Sequence, residues 1–160
     1  MIAQKLDQTL RCFRIGDPDG RYPIFSADGA RLYPGRWNTP ATPLIYTSEH
    51  YATAMLEKLA NGGGRIPPNQ HFIEIEIDAG LSYEVFREAD HPGWADERQD
   101  VSRAFGELWA RELRSLALIT PSVAARMERN ILLNPEHPEF SRVRHGLHLP
   151  VWWDQRLFRS

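Results

Sequence analysis

The chain has 160 residues and a mass of 18.4 kDa, with 42% hydrophobic and 25% charged residues; this size and composition are those of one folded domain and exclude a disordered chain. Nineteen Lys and Arg residues against 21 Asp and Glu leave a net charge of −2, too balanced for a protein that binds nucleic-acid backbone. The single cysteine, Cys12, excludes an internal disulfide and a cysteine-based zinc site, and the lack of a long apolar run predicts a cytoplasmic chain with neither signal peptide nor membrane helix.

The first half of the chain places a long irregular segment between two short strands. Residues 12–15 predict a strand, and residues 21–43, rich in proline and in large aromatics, predict an ordered loop. Residues 44–47 predict a buried strand. A helix is predicted from Ser48 onwards because four apolar residues recur at helical spacing and would form its buried face. They are Ala52, Met55, Leu56 and Leu59.

The second half begins with the clearest strand, residues 71–78, in which isoleucines and glutamates alternate. A helix is predicted at about 100–114, with Val101, Ala104, Phe105, Leu108 and Trp109 on its apolar face. Further short strands are predicted at residues 116–120, 131–133, 140–143 and 151–158. The chain contains no repeat or linker that would divide it, so the sequence predicts a single α+β domain over residues 1–160.

Two common kinds of site are disfavoured by their local sequence. His145 and His148 stand three apart, but Gly146 and Pro150 disfavour the helix that would bring them together, so no metal site is expected. The glycines at 62–64 are followed by neither Lys-Ser/Thr nor a helix, so they predict a helix end and not a phosphate-binding loop.

The segment from Gly29 to Glu57 differs in character, because arginines, an asparagine and large aromatics share one loop that leads into a strand and a helix. Glu57 lies about 100° around the predicted helix from Leu56. A carboxylate at the edge of an apolar face stands between core and cleft, where its pKa and contacts matter.

These motifs resemble the RES domain, a family named for its recurring Arg, Glu and Ser. The resemblance rests on GARLYPGRWN, IYTSEHYATAMLE, TPS at 120–122 and NILLNPEHPEF at 130–140, and runs from about Phe13 to Phe158. The residues that match the family's recurring positions are Arg14, Arg36, Tyr46, Glu57 and Ser122.

The resemblance implies a fold similar to ADP-ribosyltransferases and the toxin role of a bacterial toxin–antitoxin pair. It implies that NAD is a substrate, consumed at the nicotinamide–ribose bond, and that no prosthetic group is used. It also implies an antitoxin with an Xre-like helix-turn-helix domain and a homodimer of this chain within the complex.

The residue types fit that chemistry. Cleavage of the bond passes through an oxocarbenium-like state, which favours a carboxylate near the ribose, and Glu57 is the candidate. Arg14 and Arg36 offer forked donors to the pyrophosphate. Tyr46 is a candidate platform for the nicotinamide ring, with Tyr33 behind it. Ser122 is a candidate for holding the carboxamide or a ribose hydroxyl. The same irregular loop supplies two further candidate NAD-binding residues, Arg31 and Asn38.

Alternatives remain open at this point. The acceptor of the ADP-ribosyl group is water, inorganic phosphate or a protein side chain, and the sequence does not choose among them. An RNA-directed toxin is a different class, although the net charge of −2 disfavours it. The basic residues that support it are Arg126, Arg129, Arg142 and Arg144. A non-catalytic co-repressor is a third class, disfavoured because all five family positions are occupied by the expected residue types.

Overall fold

A computed structural model describes residues 3–158 of the chain. The described strands are β1 Gln4–Lys5, β2 Leu10–Gly16, β3 Ile45–Ser48, β4 His71–Ile77, β5 Ser82–Val85, β6 Ala117–Pro121, β7 Arg129–Leu133, β8 Arg144–His145 and β9 Leu149–Pro150. They form one mixed sheet in the order β1-β5-β6-β7-β3-β2-β4-β8, with β9 also paired to β4. Every pairing is antiparallel except that of β5 with β6.

The middle of the sheet, at β6 and β7, is buried on both faces. Successive side chains of a strand face opposite sides, and on β6 Ile119 packs in one apolar cluster with Ile131 of β7, while Leu118 packs in a second cluster with Leu132. The first cluster also holds the isoleucines of β4, whose predicted alternation is confirmed because Ile73, Ile75 and Ile77 are all buried. The second cluster is built largely from tryptophans, phenylalanine and leucine, and its face carries the candidate site.

Three α-helices and three short 3-10 turns connect the strands. The helices are α1 Asp28–Leu32, α2 Tyr51–Asn61 and α3 Asp100–Arg111, and the 3-10 turns are Glu88–Asp90, Pro138–Arg142 and Gln155–Phe158. None of the helices described between residues 3 and 158 is long and apolar enough to cross a bilayer.

The predicted inner faces of α2 and α3 are right only in part: Trp109 is buried and Val101 and Phe105 pack on the second cluster, but other predicted residues are exposed. On α2, Thr53 and Ala54 are buried, whereas Leu56 is 41% exposed. On α3, the buried side includes Ser102 and Gly106 besides Trp109, and Leu108 is half exposed. At Gly106, α3 lies so close to the backbone of Trp37 that a small residue is required there, and hydrophobicity alone does not detect that closeness. On α2 the polar flank that includes Glu57 faces the body of the protein.

Two predicted strands are also absent from their positions. Residues 140–143 belong to the 3-10 turn Pro138–Arg142, where His137 Nδ1 accepts a hydrogen bond from the Glu139 backbone N–H. Residues 151–158 end in the turn Gln155–Phe158, and only Leu149–Pro150 before them pairs with the sheet. Conversely β5 lies in a stretch where the sequence predicted no element.

Gly106 is the point at which α3 touches the loop that follows α1. A Cβ at this position would overlap the backbone carbonyl of Trp37, which cannot turn aside like a flexible side chain. Gly106→Ala is therefore expected to lower the free energy of unfolding by about 2 kcal/mol, despite the better helix propensity of alanine. Gly29→Ala in α1 is the matched control, since nothing lies within 4 Å of its added Cβ. Equal stability of the two variants in urea denaturation would contradict this contact.

Candidate functional site

The candidate site lies where α2, the loop at residues 33–38 and the ends of β3 and β7 meet on the second face of the sheet. The register pairs Ser48 with Asn130 and Asn130 with Thr120. Paired residues of neighbouring strands share a face, so these three polar side chains form a row directly under α2. All three are buried, and polar groups at such a depth need partners.

Glu57 is held by this polar row. Asn130 Nδ2 donates to Glu57 Oε2 at 2.5 Å, and Ser48 Oγ donates to Asn130 Oδ1 at 2.8 Å. Burial raises the pKa of Glu57, and the hydrogen bond from Asn130 and the charge of Arg36 lower it in part. The side chain is thus a partly desolvated carboxylate with one fixed donor on Oε2. Thr120 Oγ1 is buried nearby without a hydrogen-bond partner among the described residues.

Arg36 of the 33–38 loop is held by the segment that precedes α3. Its Nη1 donates to the backbone carbonyls of Asp96 at 2.9 Å and Trp94 at 3.2 Å. Burial lowers the pKa of Arg36, and the nearby negative charge of Glu57 opposes that shift. No carboxylate described between residues 3 and 158 forms an ion pair with Arg36 at salt-bridge distance. Its guanidinium therefore has donors left for an anion.

Tyr46 and Asn38 organise the loop that carries Arg36. The Tyr46 hydroxyl donates to Asn38 Oδ1 at 2.7 Å and accepts from the Trp37 backbone N–H at 3.0 Å. Gly35 allows the loop to pass over the Tyr46 ring, since a Cβ there would stand 2.7 Å from the ring carbon Cζ. Burial raises the pKa of Tyr46 well above its usual value. The ring is therefore a fixed neutral wall beside Arg36.

The amide of Asn38 has no free hydrogen-bonding group. Besides the Tyr46 hydroxyl, its Oδ1 accepts from the Gly35 N–H at 2.8 Å, and its Nδ2 donates to the carbonyls of Ala30 and Thr39, both at 2.9 Å. An amide with two donors and two acceptor sites is fully used by four bonds. Asn38 thus holds the loop closed.

Arg14 is tied to the backbone. Its Nε donates to Ile24 O at 2.6 Å, its Nη1 to Tyr46 O at 2.9 Å and its Nη2 to Ser26 O at 3.4 Å. Burial lowers the pKa of Arg14 to about 10, so it remains charged at neutral pH. Through these three hydrogen bonds, Arg14 fastens the segment at residues 24–26 to β2 and β3.

The remaining predicted site residues lie in two different settings. Ser122 is fully buried, and its Oγ accepts from the Ala125 N–H at 3.0 Å, which caps the turn after β6. Tyr33 is 82% exposed at the end of α1, and Arg31 is exposed on the same helix. The structure records no side-chain contact that joins Tyr33 or Arg31 to Glu57.

Sequence reasoning missed Asn130 and Ser48, the two residues that fix Glu57. Both lie inside the motifs that carry the family resemblance, but only the β3–β7 register shows that they meet. Arg103 of α3 was missed too. It donates to the carbonyls of Asn38 and Gly35, both at 3.1 Å, and so holds the 33–38 loop from the opposite side.

Comparisons with known proteins agree on one family. Residues 11–154 match the family model described as RES domain. A Prs ADP-ribosylating toxin of Sphingobium sp. strain YBL2 is 34% identical over 141 residues, which cover 84% of this chain and 87% of that protein. A protein named Toxin Res from Yersinia enterocolitica serotype O:8 is 31% identical over 115 residues, 70% of this chain and 75% of the relative.

The fold also has a solved counterpart. A chain of the M. tuberculosis MbcT–MbcA toxin–antitoxin complex matches with a TM-score of 0.70 at 15% identity, covering 92% of this chain and 86% of that chain. The predicted α+β fold class is confirmed, and the fold is shared with that chain of the toxin–antitoxin complex.

Proposed function

The chain belongs to the RES domain family, and we propose that it is the toxin of a toxin–antitoxin pair that breaks the nicotinamide–ribose bond of NAD in the cleft between Glu57 and Arg36. The observation that carries this proposal is a partly desolvated carboxylate that interacts electrostatically with an arginine lacking a carboxylate ion pair. The name of the Sphingobium relative, an ADP-ribosylating toxin, supports an NAD-consuming reaction.

Glu57 supplies the negative charge for the transition state. Departure of nicotinamide leaves positive charge on the ribose, and a carboxylate in a water-poor cleft stabilises that charge more strongly than one in bulk water. Asn130 occupies Oε2 and leaves Oε1 without a hydrogen bond from the residues described in the structure. Oε1 is therefore the oxygen proposed to accept a ribose hydroxyl or to face the developing cation.

Arg36 and Tyr46 orient the dinucleotide. A guanidinium donates two parallel hydrogen bonds to a phosphate, so Arg36 is proposed to hold the pyrophosphate. The ring of Tyr46, fixed by Asn38 and Gly35, is proposed to face the nicotinamide. Arg36 and Tyr46 are proposed to be supported through the backbone by Ser122, Arg14 and Asn38. The outer rim of the cleft is proposed to include the exposed Tyr33 and Arg31.

Mass spectrometry of the products tests the proposal. The purified chain is incubated with NAD alone, with NAD and inorganic phosphate, and with NAD and a bacterial lysate. Release of free nicotinamide is expected in at least one arm. ADP-ribose, ADP-ribose 1″-phosphate or an ADP-ribosylated protein then identifies water, phosphate or a side chain as the acceptor. Intact NAD in all three arms would reject the proposal.

The transferase reading has its own support, because the printed name of the Sphingobium relative describes ADP-ribosylation. A transferase would release nicotinamide in quantity only when the target protein is present. The lysate arm therefore separates the transferase from the glycohydrolase and the phosphorylase.

The pH dependence of the reaction follows from the contacts of Glu57. The ionised carboxylate is the active form, so activity falls as the pH drops through a pKa that burial has raised. The Asn130 amide stabilises the ionised form, so Asn130→Ala raises that pKa further, and the acid limb of kcat/KM against pH moves towards neutrality. Asn61→Ala at the exposed end of α2 is the control. Superimposable acid limbs for Asn130→Ala and wild type would show that another group titrates.

A toxin that drains NAD needs a partner that blocks it. We propose a helix-turn-helix antitoxin of the Xre type, and a homodimer of this chain in the complex; the M. tuberculosis structure is itself a toxin–antitoxin complex. A carboxylate of the antitoxin placed against Arg36 is the simplest block, since it uses the donors proposed for the pyrophosphate.

A further inference from the structure

Arg126 is an exposed arginine that lies beside the candidate site and that the mechanism above does not use. Its guanidinium carbon stands 5.3 Å from the centre of the Trp94 ring. Trp94 is nearly buried, and its backbone carbonyl accepts the hydrogen bond from Arg36. Trp94 thus contacts both arginines: its carbonyl accepts a hydrogen bond from Arg36, and its ring lies against the guanidinium of Arg126.

The two arginines form a patch of positive charge in which neither guanidinium is held in an ion pair by a described carboxylate, although the charges of Glu57 and Asp96 also act on Arg36. Within residues 3–158, Arg126, like Arg36, has no carboxylate at ion-pair distance. Arg126 acts on Arg36 as a repelling like charge. By contrast the neighbouring Arg129 is held by both oxygens of Glu49. Two cations kept together without a partner are stabilised when an anion binds between them.

We infer that Arg126 is a second phosphate-binding residue of the cleft, which together with Arg36 clamps the pyrophosphate of the dinucleotide. This inference rests on the proposed function for the identity of the ligand. The chemistry requires only a group with two adjacent negative phosphates, because each guanidinium satisfies one of them with a pair of donors. A nicotinamide ribonucleoside without phosphate gains nothing from Arg126.

The turn after β6 presents Arg126. Ser122 Oγ accepts from the Ala125 N–H at 3.0 Å, and the Ser122 N–H donates to the Glu128 carbonyl at 2.9 Å, so the serine closes the turn at both ends. The Glu128 carboxylate accepts from Thr53 Oγ1 at 2.6 Å and bonds His50 Nδ1 at 2.7 Å, which fastens the turn to the start of α2. Ser122 is therefore a positioning residue that acts through Arg126.

Binding of inorganic pyrophosphate and of ADP-ribose, measured by calorimetry, tests the inference. Arg126→Met keeps a long apolar side chain over Trp94 and removes the charge, so the melting temperature is expected to hold. Both ligands are expected to bind about 10- to 100-fold more weakly, the range for losing hydrogen bonds between charged groups. Nicotinamide riboside is expected to bind unchanged. Arg142→Met, at an exposed arginine of the 3-10 turn Pro138–Arg142, is the matched control.

A double-mutant cycle tests the role of Ser122. If the serine acts through Arg126, Ser122→Ala weakens pyrophosphate binding, and the double variant with Arg126→Met binds no more weakly than Arg126→Met alone. Additive losses would show that Ser122 acts independently of Arg126.

The outcomes distinguish this inference from the proposed function. Wild-type affinity for pyrophosphate in Arg126→Met overturns the Arg126 clamp, even where the chain cleaves NAD. Pyrophosphate binding that depends on Arg126, together with no NAD cleavage, keeps the clamp and rejects the proposed reaction. Failure of the wild-type chain to bind either pyrophosphate or ADP-ribose rejects the clamp, and nicotinamide release from NAD then decides the proposed reaction by itself.

Discussion

Glu57→Gln is expected to slow NAD cleavage by about two to three orders of magnitude, the cost of removing one key electrostatic group from an active site. Glutamine keeps the size of the side chain and can still accept from Asn130 Nδ2 through its own oxygen. The effect is therefore expected in kcat more than in KM, because the charge matters most when the ribose becomes cationic.

Glu57→Gln is expected to lower the rate of NAD cleavage without lowering the free energy of unfolding. Burial raises the pKa of Glu57 in the folded state. A carboxyl group with a raised folded pKa contributes stability below its unfolded pKa, and that contribution is lost as the pH rises through the folded pKa. At neutral pH the ionised Glu57 thus destabilises the folded state. Glu57→Gln is therefore expected to be as stable as wild type or more stable.

The matched control is Glu107→Gln, a glutamate of α3 that pairs with Arg111 on the surface. It is expected to leave nicotinamide release and the melting temperature unchanged, because surface ion pairs contribute little. If Glu57→Gln releases nicotinamide as fast as Glu107→Gln does, Glu57 is not the catalytic carboxylate.

Arg14→Ala is expected to lower the free energy of unfolding by about 3 kcal/mol, the largest stability effect among these variants. The change leaves the carbonyls of Ile24, Ser26 and Tyr46 without their charged donor, and unsatisfied buried carbonyls each cost on the order of 1–3 kcal/mol, part of which water and local relaxation recover. Urea denaturation measures the loss, with Arg142→Ala as the exposed control. Loss of NAD binding at unchanged stability would instead make Arg14 a direct ligand of the substrate.

The sequence predicted the buried face of β4 better than the buried faces of the helices. Alternation in β4 is a direct readout of its half-buried position, and its bounds were predicted within one residue. On α2 and α3 some apolar residues of the predicted faces, Leu56 and Leu108, are exposed. Gly106 and Ser102 face inward because α3 packs directly on the backbone of Trp37 and Arg36. Such close contacts depend on residues distant in sequence, which periodicity does not report.

The candidate site was predicted in part, for a similar reason. Glu57, Arg36 and Tyr46 come from one continuous stretch, and Arg36 interacts electrostatically with each of the other two side chains. The partners that fix them come from elsewhere: Asn130 reaches Glu57 from a strand 73 positions away in sequence. From the sequence alone, Arg126 supports only the RNA-binding alternative. Its proximity to Trp94 depends on the turn after β6, which the sequence does not show.

A crystal structure of Glu57→Gln soaked with NAD tests the central claim most directly, because the slowed variant is expected to retain the intact dinucleotide. The account predicts the pyrophosphate within hydrogen-bond distance of the Arg36 guanidinium and the nicotinamide ribose within hydrogen-bond distance of the side chain at position 57, with the nicotinamide ring against Tyr46. NAD bound outside this cleft, or inside it with the pyrophosphate away from Arg36 and the ribose away from position 57, would contradict the account.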